Sequence, residues 1–257
     1  MLELNLRNKV AIITGGSEGL GRAAAQKLAD EGAKVAICAR RKDVLENAAA
    51  AIKAATGNEV LAVPTDVSRA DECKKLVDTV VSRFGGVDIL VNNAGQSMAK
   101  SFLDLDDGEW QADHDLKVMA AIRLCRLAIP IMKQRGGGRI INVTNLGAKA
   151  PNAKGVPTSM SRAAGINLTK SLSKEFAADN ILVNTICIGL VKSAQWERRN
   201  KDGDMEAYYR EAGKRVPVGR VGEASEFGDL VAFLVSDRAA FISGTAINFD
   251  GGASPVV

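Results

Sequence analysis

Cysteine is scarce in this sequence and histidine occurs once, and both scarcities narrow the possible functions. The four cysteines are far apart along the 257 residues, at Cys38, Cys73, Cys125 and Cys187. They have neither the density of a disulfide-rich secreted domain nor the spacing of a metal site. We therefore expect reduced thiols, mostly in the core, and no bound metal.

Long apolar runs and blocks of one charge are also missing. Charges interrupt every hydrophobic stretch before it reaches membrane-spanning length, and residues 1–8 are too polar and too few for a signal peptide. The 34 basic and 30 acidic residues give a net charge of +4 without a block of five like charges, which argues against a nucleic-acid partner. We expect a cytoplasmic protein that binds neither nucleic acid nor membrane.

What the sequence does contain is a regular alternation of two patterns. Short β-branched runs at 10–13, 35–38, 60–63, 89–91, 140–143 and 181–186 alternate with helical patterns at 19–31, 43–56, 69–84, 109–134 and 158–178. The runs are too uniformly apolar for half-exposed strands, so they indicate parallel βαβ units covered on both faces. We predict one α/β domain over 1–257.

One long stretch, about 189–222, lacks either pattern and is rich in charge and glycine. It holds Trp196, Tyr208 and Tyr209. Long loops in compact domains are commonly functional, so we interpret this one as a substrate lid. The alternative is a solvated helical hairpin anchored by its aromatic residues.

A glycine-rich loop, from Thr14 to Gly21, follows the first predicted strand and opens the first predicted helix. Its backbone can approach a pyrophosphate, while the unpaired N–H groups and the dipole of the helix favour negative charge. The order of strand, turn, helix and second strand makes this a specific signal for a dinucleotide.

Four separated motifs together resemble the short-chain dehydrogenase/reductase family over essentially the whole chain. They are Thr14-Gly15-x-x-x-Gly19-x-Gly21, Asp66-Val67, Asn92-Asn93-Ala94-Gly95 and Phe249-Asp250-Gly251-Gly252. The resemblance implies a Rossmann fold, which is a doubly wound parallel sheet of about seven strands. It also implies a nicotinamide cofactor, a small-molecule substrate, and a homotetramer or homodimer built on the helices at 109–134 and 158–178.

The resemblance and the loop together give a set of candidate cofactor-binding residues. These are Gly15, Ser17, Gly19, Leu20, Arg40, Arg41, Asp66, Val67, Asn93, Ala94, Gly95, Arg162, Gly189 and Val191. Strand two ends in Ala39, Arg40 and Arg41 where a carboxylate would select NAD(H), and guanidinium groups suit a 2′-phosphate. We expect NADP(H), with NAD(H) less favoured. Glu18 weakens this expectation, because many NADP-preferring members of the family that this chain resembles have a basic residue at that position.

The catalytic positions implied by the resemblance are all substituted. The family's Tyr corresponds to Thr158, its Lys to Arg162, its Ser to Asn145 and its Asn to Lys117. A proline that usually precedes Gly189 is replaced by Ile188.

These substitutions differ in their chemical consequences. Thr158 is far less acidic than a phenol, and loss of a positioned acid costs about 10²–10⁴-fold in rate. Arg162 can still bind the ribose but does not pass a proton along. Asn145 can polarise a carbonyl, and Lys117, next to other cations, can take part in acid–base chemistry.

Other side chains offer less support for catalysis. His114 and Asp113 share a helix face with Lys117, so a catalytic grouping of the three is conceivable. We favour instead an exposed helix start in which Asp113 pairs with Lys117. Tyr208 and Tyr209 are phenols that could enter the cleft, but we favour their role as anchors.

Three interpretations remain open. The favoured one is an NADP(H)-dependent oxidoreductase with a rebuilt site, in which Lys117 or a lid tyrosine supplies the proton for a carbonyl substrate, either neutral or anionic. The second is a catalytically silent cofactor-binding protein. The third is a lyase or decarboxylase in which Lys117 and Arg162 hold an anionic substrate.

Overall fold

Seven parallel strands form the central sheet in the computed structural model, which describes residues 3–193, 196 and 203–257. Their order is β3-β2-β1-β4-β5-β6-β7. The strands are β1 (Val10–Thr14), β2 (Lys34–Ala39), β3 (Val60–Pro64), β4 (Ile89–Asn92), β5 (Gly138–Asn145), β6 (Ile181–Ile188) and β7 (Ala246–Phe249). The order reverses between β1 and β4, and in such sheets ligands bind at the carboxyl ends of the strands beside that reversal.

Helices cover both faces of the sheet. They are α1 (Gly19–Asp30), α2 (Lys42–Thr56), α3 (Ala70–Phe84), α4 (Asp107–His114), α5 (Ala120–Gln134), α6 (Thr158–Glu175), α7 (Met205–Gly213) and α8 (Ala224–Leu234). The core on one face is built with α1, α2 and α8, and the core on the other with α3 and α5. The predicted doubly wound single-domain fold is confirmed.

Two predicted segments differ from the structure. The helix predicted at 109–134 is interrupted by a π-helical turn at Asp115–Met119, so that α4 and α5 are separate. The stretch 189–222 is not irregular throughout, because it contains α7, whose N-terminus is capped by the Asp204 side chain. Part of the predicted lid, 194–195 and 197–202, lies outside the described residues.

The four cysteines agree with the expectation of reduced thiols in the core. All four cysteines are free and buried. Among the described residues, no helix is long and apolar enough to cross a membrane, and no group of three or more His, Cys, Asp or Glu side chains is placed to hold a metal ion.

Candidate active site and cofactor cleft

The glycine loop is fixed to the end of β4 by hydrogen bonds from Asn93 and Ala94. The Thr14 hydroxyl accepts from both of their backbone N–H groups at 2.9 Å, and the Asn93 side chain donates to the Thr14 carbonyl at 2.9 Å. Gly15 has a φ of 66°, and a Cβ at Gly21 would collide with the Gly15 carbonyl. Glycine is therefore required at both positions, and the loop brings the N-terminus of α1 to the cleft.

A cleft of about 930 Å³ runs along the carboxyl ends of the strands. Cofactor and ligand clefts have volumes of this order. All fourteen residues predicted to bind the cofactor line it: Gly15, Ser17, Gly19, Leu20, Arg40, Arg41, Asp66, Val67, Asn93, Ala94, Gly95, Arg162, Gly189 and Val191. These residues fit a dinucleotide, because the glycine loop places the N-terminus of α1 at the cleft, where its backbone N–H groups can bind a pyrophosphate.

At the adenosine end of the cleft, the two arginines lie beside carboxylates. The Arg41 guanidinium forms an ion pair with Glu18 at 2.6 Å. Burial opposes ionisation of Asp66, but hydrogen bonds from Ser68 and the charge of Arg40 outweigh it and lower the Asp66 pKa. The loop carboxylate of Glu18 therefore acts directly on an arginine predicted to bind the 2′-phosphate.

Thr158 and Asn145 also line the cleft. The Thr158 hydroxyl oxygen accepts from the Met98 backbone N–H at 3.0 Å and from Lys117 Nζ at 3.1 Å. Both of its lone pairs are then used, and its one proton remains to be donated. The acceptor that the described residues offer is Asp113 Oδ1 at 3.5 Å, a long contact.

Lys117 and Asp113 form a buried ion pair behind Thr158. The two residues are 7% and 2% exposed. Lys117 Nζ donates to Asp113 Oδ1, and the Ser161 hydroxyl donates to Asp113 Oδ2. Lys117 lines a separate cavity of about 20 Å³ and not the main cleft.

The buried ion pair tests two expectations about α4. The predicted pairing of Asp113 with Lys117 is confirmed, but the predicted exposed helix start is wrong, because this face of α4 packs against α6. His114 is exposed, so the grouping of Asp113, His114 and Lys117 does not form.

The anionic-substrate hypothesis relied on Lys117 and Arg162 together, but Arg162 lines the cleft and Lys117 does not. Asp113 neutralises the Lys117 ammonium. The same ion pair weakens the lyase interpretation, in which Lys117 and Arg162 together hold an anionic substrate.

Burial and charge act in opposite directions on Lys117. Burial lowers its pKa, the nearby Arg162 charge lowers it further, and Asp113 raises it through its hydrogen bond and its charge. Burial also lowers the pKa of Arg162 to about 10, which leaves it a cation at neutral pH. One guanidinium nitrogen of Arg162 donates to the Val143 carbonyl at 2.6 Å.

Asn145 occupies the last position of β5, opposite Ile188 of β6. Its Oδ1 is buried without a hydrogen-bond partner in the part of the chain that the structure describes. An unsatisfied buried polar atom is uncommon in folded proteins and points to a functional position.

The aromatic residues of the predicted lid serve as anchors in this structure. Tyr209 is buried, and its hydroxyl accepts from the Ser193 backbone N–H at 3.3 Å. The Tyr208 ring lies 6.0 Å from Trp196 and 5.6 Å from Tyr209. Trp196 also lines the cleft.

Sequence reasoning missed the Ser161 hydroxyl and the Met98 backbone N–H, and it placed the Asp113 carboxylate on an exposed helix face and not in this buried cluster. A signal existed for Asp113 and Ser161. Asp113 precedes Lys117 by four residues, and Ser161 follows Thr158 by three, so each pair shares a helix face. The sequence did not predict that the helix face with Asp113 packs against the face of α6 with Ser161.

Comparison with known proteins places this geometry in a family. A family model described as enoyl-(acyl carrier protein) reductase matches residues 15–254. Dehydrogenase/reductase SDR family member 4 of Oryctolagus cuniculus is 33% identical over 253 residues, which cover 96% of this chain and 94% of the relative. The 3-oxoacyl-acyl-carrier-protein reductase FabG of Staphylococcus epidermidis is 34% identical over 246 residues, which cover 95% of this chain and 98% of the relative.

Among solved structures, L-sorbose reductase from Gluconobacter frateurii, complexed with NADPH and L-sorbose, is similar over 100% of both chains. The TM-score is 0.95 and the sequence identity is 36%. The chain therefore belongs to the short-chain dehydrogenase/reductase family.

Proposed function

We propose that this protein is an NADP(H)-dependent oxidoreductase that interconverts a carbonyl compound and an alcohol. The intact glycine loop and the lined cleft support cofactor binding, and Arg40 and Arg41 support the phosphorylated form. A similar structure at 36% identity is that of a reductase complexed with NADPH.

The observation that carries the proposal is the hydrogen bonding of Thr158. Thr158 lines the cleft, and its hydroxyl oxygen accepts from Lys117 Nζ at 3.1 Å and from Met98. Its proton has only the long 3.5 Å contact to Asp113 Oδ1 among the described residues, so it can turn to a bound ligand. An aliphatic alcohol is too weak an acid to give up that proton alone. A hydroxyl that receives one proton while it donates another avoids the unfavourable alkoxide.

The proposed reduction follows from this arrangement. The cleft residues would hold the reduced nicotinamide, which when bound would supply the hydride for the new C–H bond as the π bond of the carbonyl breaks. The Thr158 O–H bond breaks and its proton goes to the substrate oxygen, while a Lys117 N–H bond breaks and its proton goes to the Thr158 oxygen. Lys117 is left as a neutral amine beside Asp113 and regains a proton before the next turnover.

Asn145 and Arg162 have binding roles in this scheme. Asn145 lines the cleft with Thr158, and its amide polarises the carbonyl as charge develops on the oxygen. Arg162, a fixed donor held by the Val143 carbonyl, binds the nicotinamide ribose. Trp196, which also lines the cleft, contacts the substrate in this scheme.

The substrate that this site favours is neutral and polar. Asp113 compensates the charge of Lys117, so the proton source does not attract an anion. Because the similar solved structure is complexed with L-sorbose, neutral ketoses and hydroxyketones are the first compounds to test.

Two measurements on the same protein test the proposal. NADPH binding is titrated by nicotinamide fluorescence, and NADPH oxidation is followed by absorbance with neutral ketoses, simple activated ketones and keto acids. We expect binding together with turnover of a neutral ketone.

Binding without turnover of any compound would instead support a catalytically silent NADP(H)-binding protein. The absence of a phenol at Thr158 and the enclosure of Lys117 favour that second candidate.

A further inference from the structure

We propose that Asp113 is a positioning residue that keeps Lys117 protonated and directed at Thr158. This inference rests on the proposed function, in which Lys117 is the proton source. Asp113 itself lines neither the cleft nor any surface that a substrate could reach.

Each carboxylate oxygen of Asp113 makes one contact that supports this role. Its Oδ1 accepts from Lys117, and its Oδ2 accepts from Ser161. Ser161 lies one turn after Thr158 on α6, so the carboxylate joins the helix of the proton source to the helix of the relay hydroxyl. The ammonium is thereby held 3.1 Å from the Thr158 oxygen.

The charged groups around Lys117 indicate that Asp113 is the group that keeps it protonated. The charged group that faces Lys117 from α6 is Arg162, and the other facing groups there, Thr158 and Ser161, are neutral hydroxyls. Burial and the Arg162 charge both favour the neutral amine. Of the groups acting on Lys117 within the described residues, Asp113 is the one that favours the ammonium.

The first test measures Lys117 directly in the cofactor-free protein. Lysines are labelled with ¹³C at Cε, the Lys117 signal is assigned from its loss in Lys117→Arg, and its shift is followed against pH. Asp113→Asn is expected to lower the Lys117 pKa by at least about one unit, the lower end of the effect of a close opposite charge. Arg162→Gln is expected to raise it, since it removes a like charge.

A matched control removes a carboxylate from the same helix without touching the pair. Glu109 lies in α4 and pairs with the exposed Lys100. Glu109→Gln keeps the capping box at the start of α4, because glutamine also serves there. It is expected to leave the Lys117 pKa unchanged.

The second test reads the pH profile of carbonyl reduction. Reduction needs the protonated lysine, so kcat/KM falls as the pH rises through the Lys117 pKa. The alkaline limb is expected to move to lower pH in Asp113→Asn and to stay in place in Glu109→Gln. A merely structural role would lower the rate at every pH without moving the limb.

The outcomes separate this inference from the proposed function. A lowered Lys117 pKa in a protein that turns over no substrate supports the role of Asp113 and overturns the proposed function. An unmoved Lys117 pKa in an active Asp113→Asn enzyme overturns the role of Asp113 alone.

A failure of Asp113→Asn to fold is also informative, because the double variant Asp113→Asn with Lys117→Met removes the stranded charge. Recovery of folding in the double variant supports the inference. Failure of both variants shows a structural requirement for the carboxylate and overturns it.

Discussion

At the scale of single residues, the proposed relay assigns the acid to Lys117, because Thr158 stands where the family resemblance implies a tyrosine. A tyrosine can be both the contact to the substrate and the proton source, whereas a threonine can be the contact alone. In this proposal Lys117, 3.1 Å from the Thr158 oxygen, is the source. Thr158 and Lys117 are consistent with each other in this proposal, since Lys117 does not line the cleft and could pass a proton to it only through a hydroxyl.

The first prediction concerns the Thr158 hydroxyl. Thr158→Val removes the hydroxyl at nearly constant volume and is expected to lower kcat for ketone reduction by about 10²–10⁴-fold, the contribution of a positioned acid. Thr158→Ser keeps the hydroxyl and is expected to retain most of the rate. Steady-state kinetics at saturating NADPH measure both, and a valine variant as fast as the serine variant would refute the relay.

The second prediction restores the family's catalytic groups. Thr158→Tyr, Arg162→Lys and Asn145→Ser are combined with Lys117→Asn, because Lys117 lies within 3.1 Å of the hydroxyl that the phenol would replace. We expect at least about 100-fold faster reduction of an activated ketone, with little gain from any single change, because these groups act as a unit.

The control for this restoration is NADPH affinity, which must stay near that of the starting protein. A refitted protein that binds NADPH normally and gains no activity would contradict the assignment of these positions. Brisk turnover of the same ketone by the unmodified protein would show that the missing phenol does not limit the rate.

How much of the site the sequence predicts depends on the kind of residue. Thr158, Asn145 and the cofactor residues were located by counting from motifs, because motifs at strand ends and helix starts fix backbone positions. The burial of Asp113 was not predicted. A charged residue in an amphipathic helix is usually exposed, and its partner Ser161 lies 48 residues away in the chain.

At the scale of elements, the π-helical turn between α4 and α5 changes which side chains are buried. The Ala120 N–H bonds to the Asp115 carbonyl, an i→i+5 contact that inserts one extra residue into the helix. Periodicity predicted one continuous helix over 109–134, because a single inserted residue leaves the apolar pattern on both sides intact. Lys117 lies within this turn, and π-turns are frequent at functional sites.

The third prediction concerns the end of β2 and the start of α1. NADPH is expected to bind at least tenfold more tightly than NADH, a difference of about 1.4 kcal/mol, because Arg40 and Arg41 meet the 2′-phosphate. Fluorescence titrations of both cofactors measure it. Arg40→Ala is expected to reduce the difference.

Glu18 provides an internal check on that preference. Its carboxylate pairs with Arg41 at 2.6 Å, so it competes with a phosphate for that guanidinium. Glu18→Gln frees Arg41 and removes a negative charge, and it is expected to increase the preference for NADPH. Equal affinities for the two cofactors, or a preference for NADH that survives Arg40→Ala, would contradict the assignment.

At the scale of the whole molecule, the architecture was predictable because the strands are buried on both faces. Largely apolar runs of three to six residues marked β1 to β6, and the observed strands extend them by no more than two residues at either end. The helix α7 was predicted only by the alternative interpretation, a helical hairpin anchored by its aromatic residues, since its charged residues and flanking glycines resemble those of a loop. The Asp204 side chain caps its N-terminus, and the burial of Tyr209 depends on tertiary contacts that the sequence does not show.

The last prediction concerns assembly. We expect a homotetramer or homodimer in which α5 and α6 form the interface, as the family resemblance implies. Met160 projects from α6 and is 60% exposed. Burial of such an apolar side chain between subunits would contribute about 1.5–3 kcal/mol, and a carboxylate there would remain unpaired. Met160→Glu is therefore expected to lower the molar mass measured by light scattering.

The matched control is Val218→Glu, because Val218 is 61% exposed but lies outside α5 and α6. It introduces the same charge on a comparable apolar position and is expected to leave the molar mass unchanged. If the unmodified protein is a monomer at micromolar concentration, or if both variants dissociate it equally, the interface does not involve this face of α6. A specific effect of Met160→Glu would place the shared interface on the helix that begins with Thr158, so that assembly and the relay would depend on the same element.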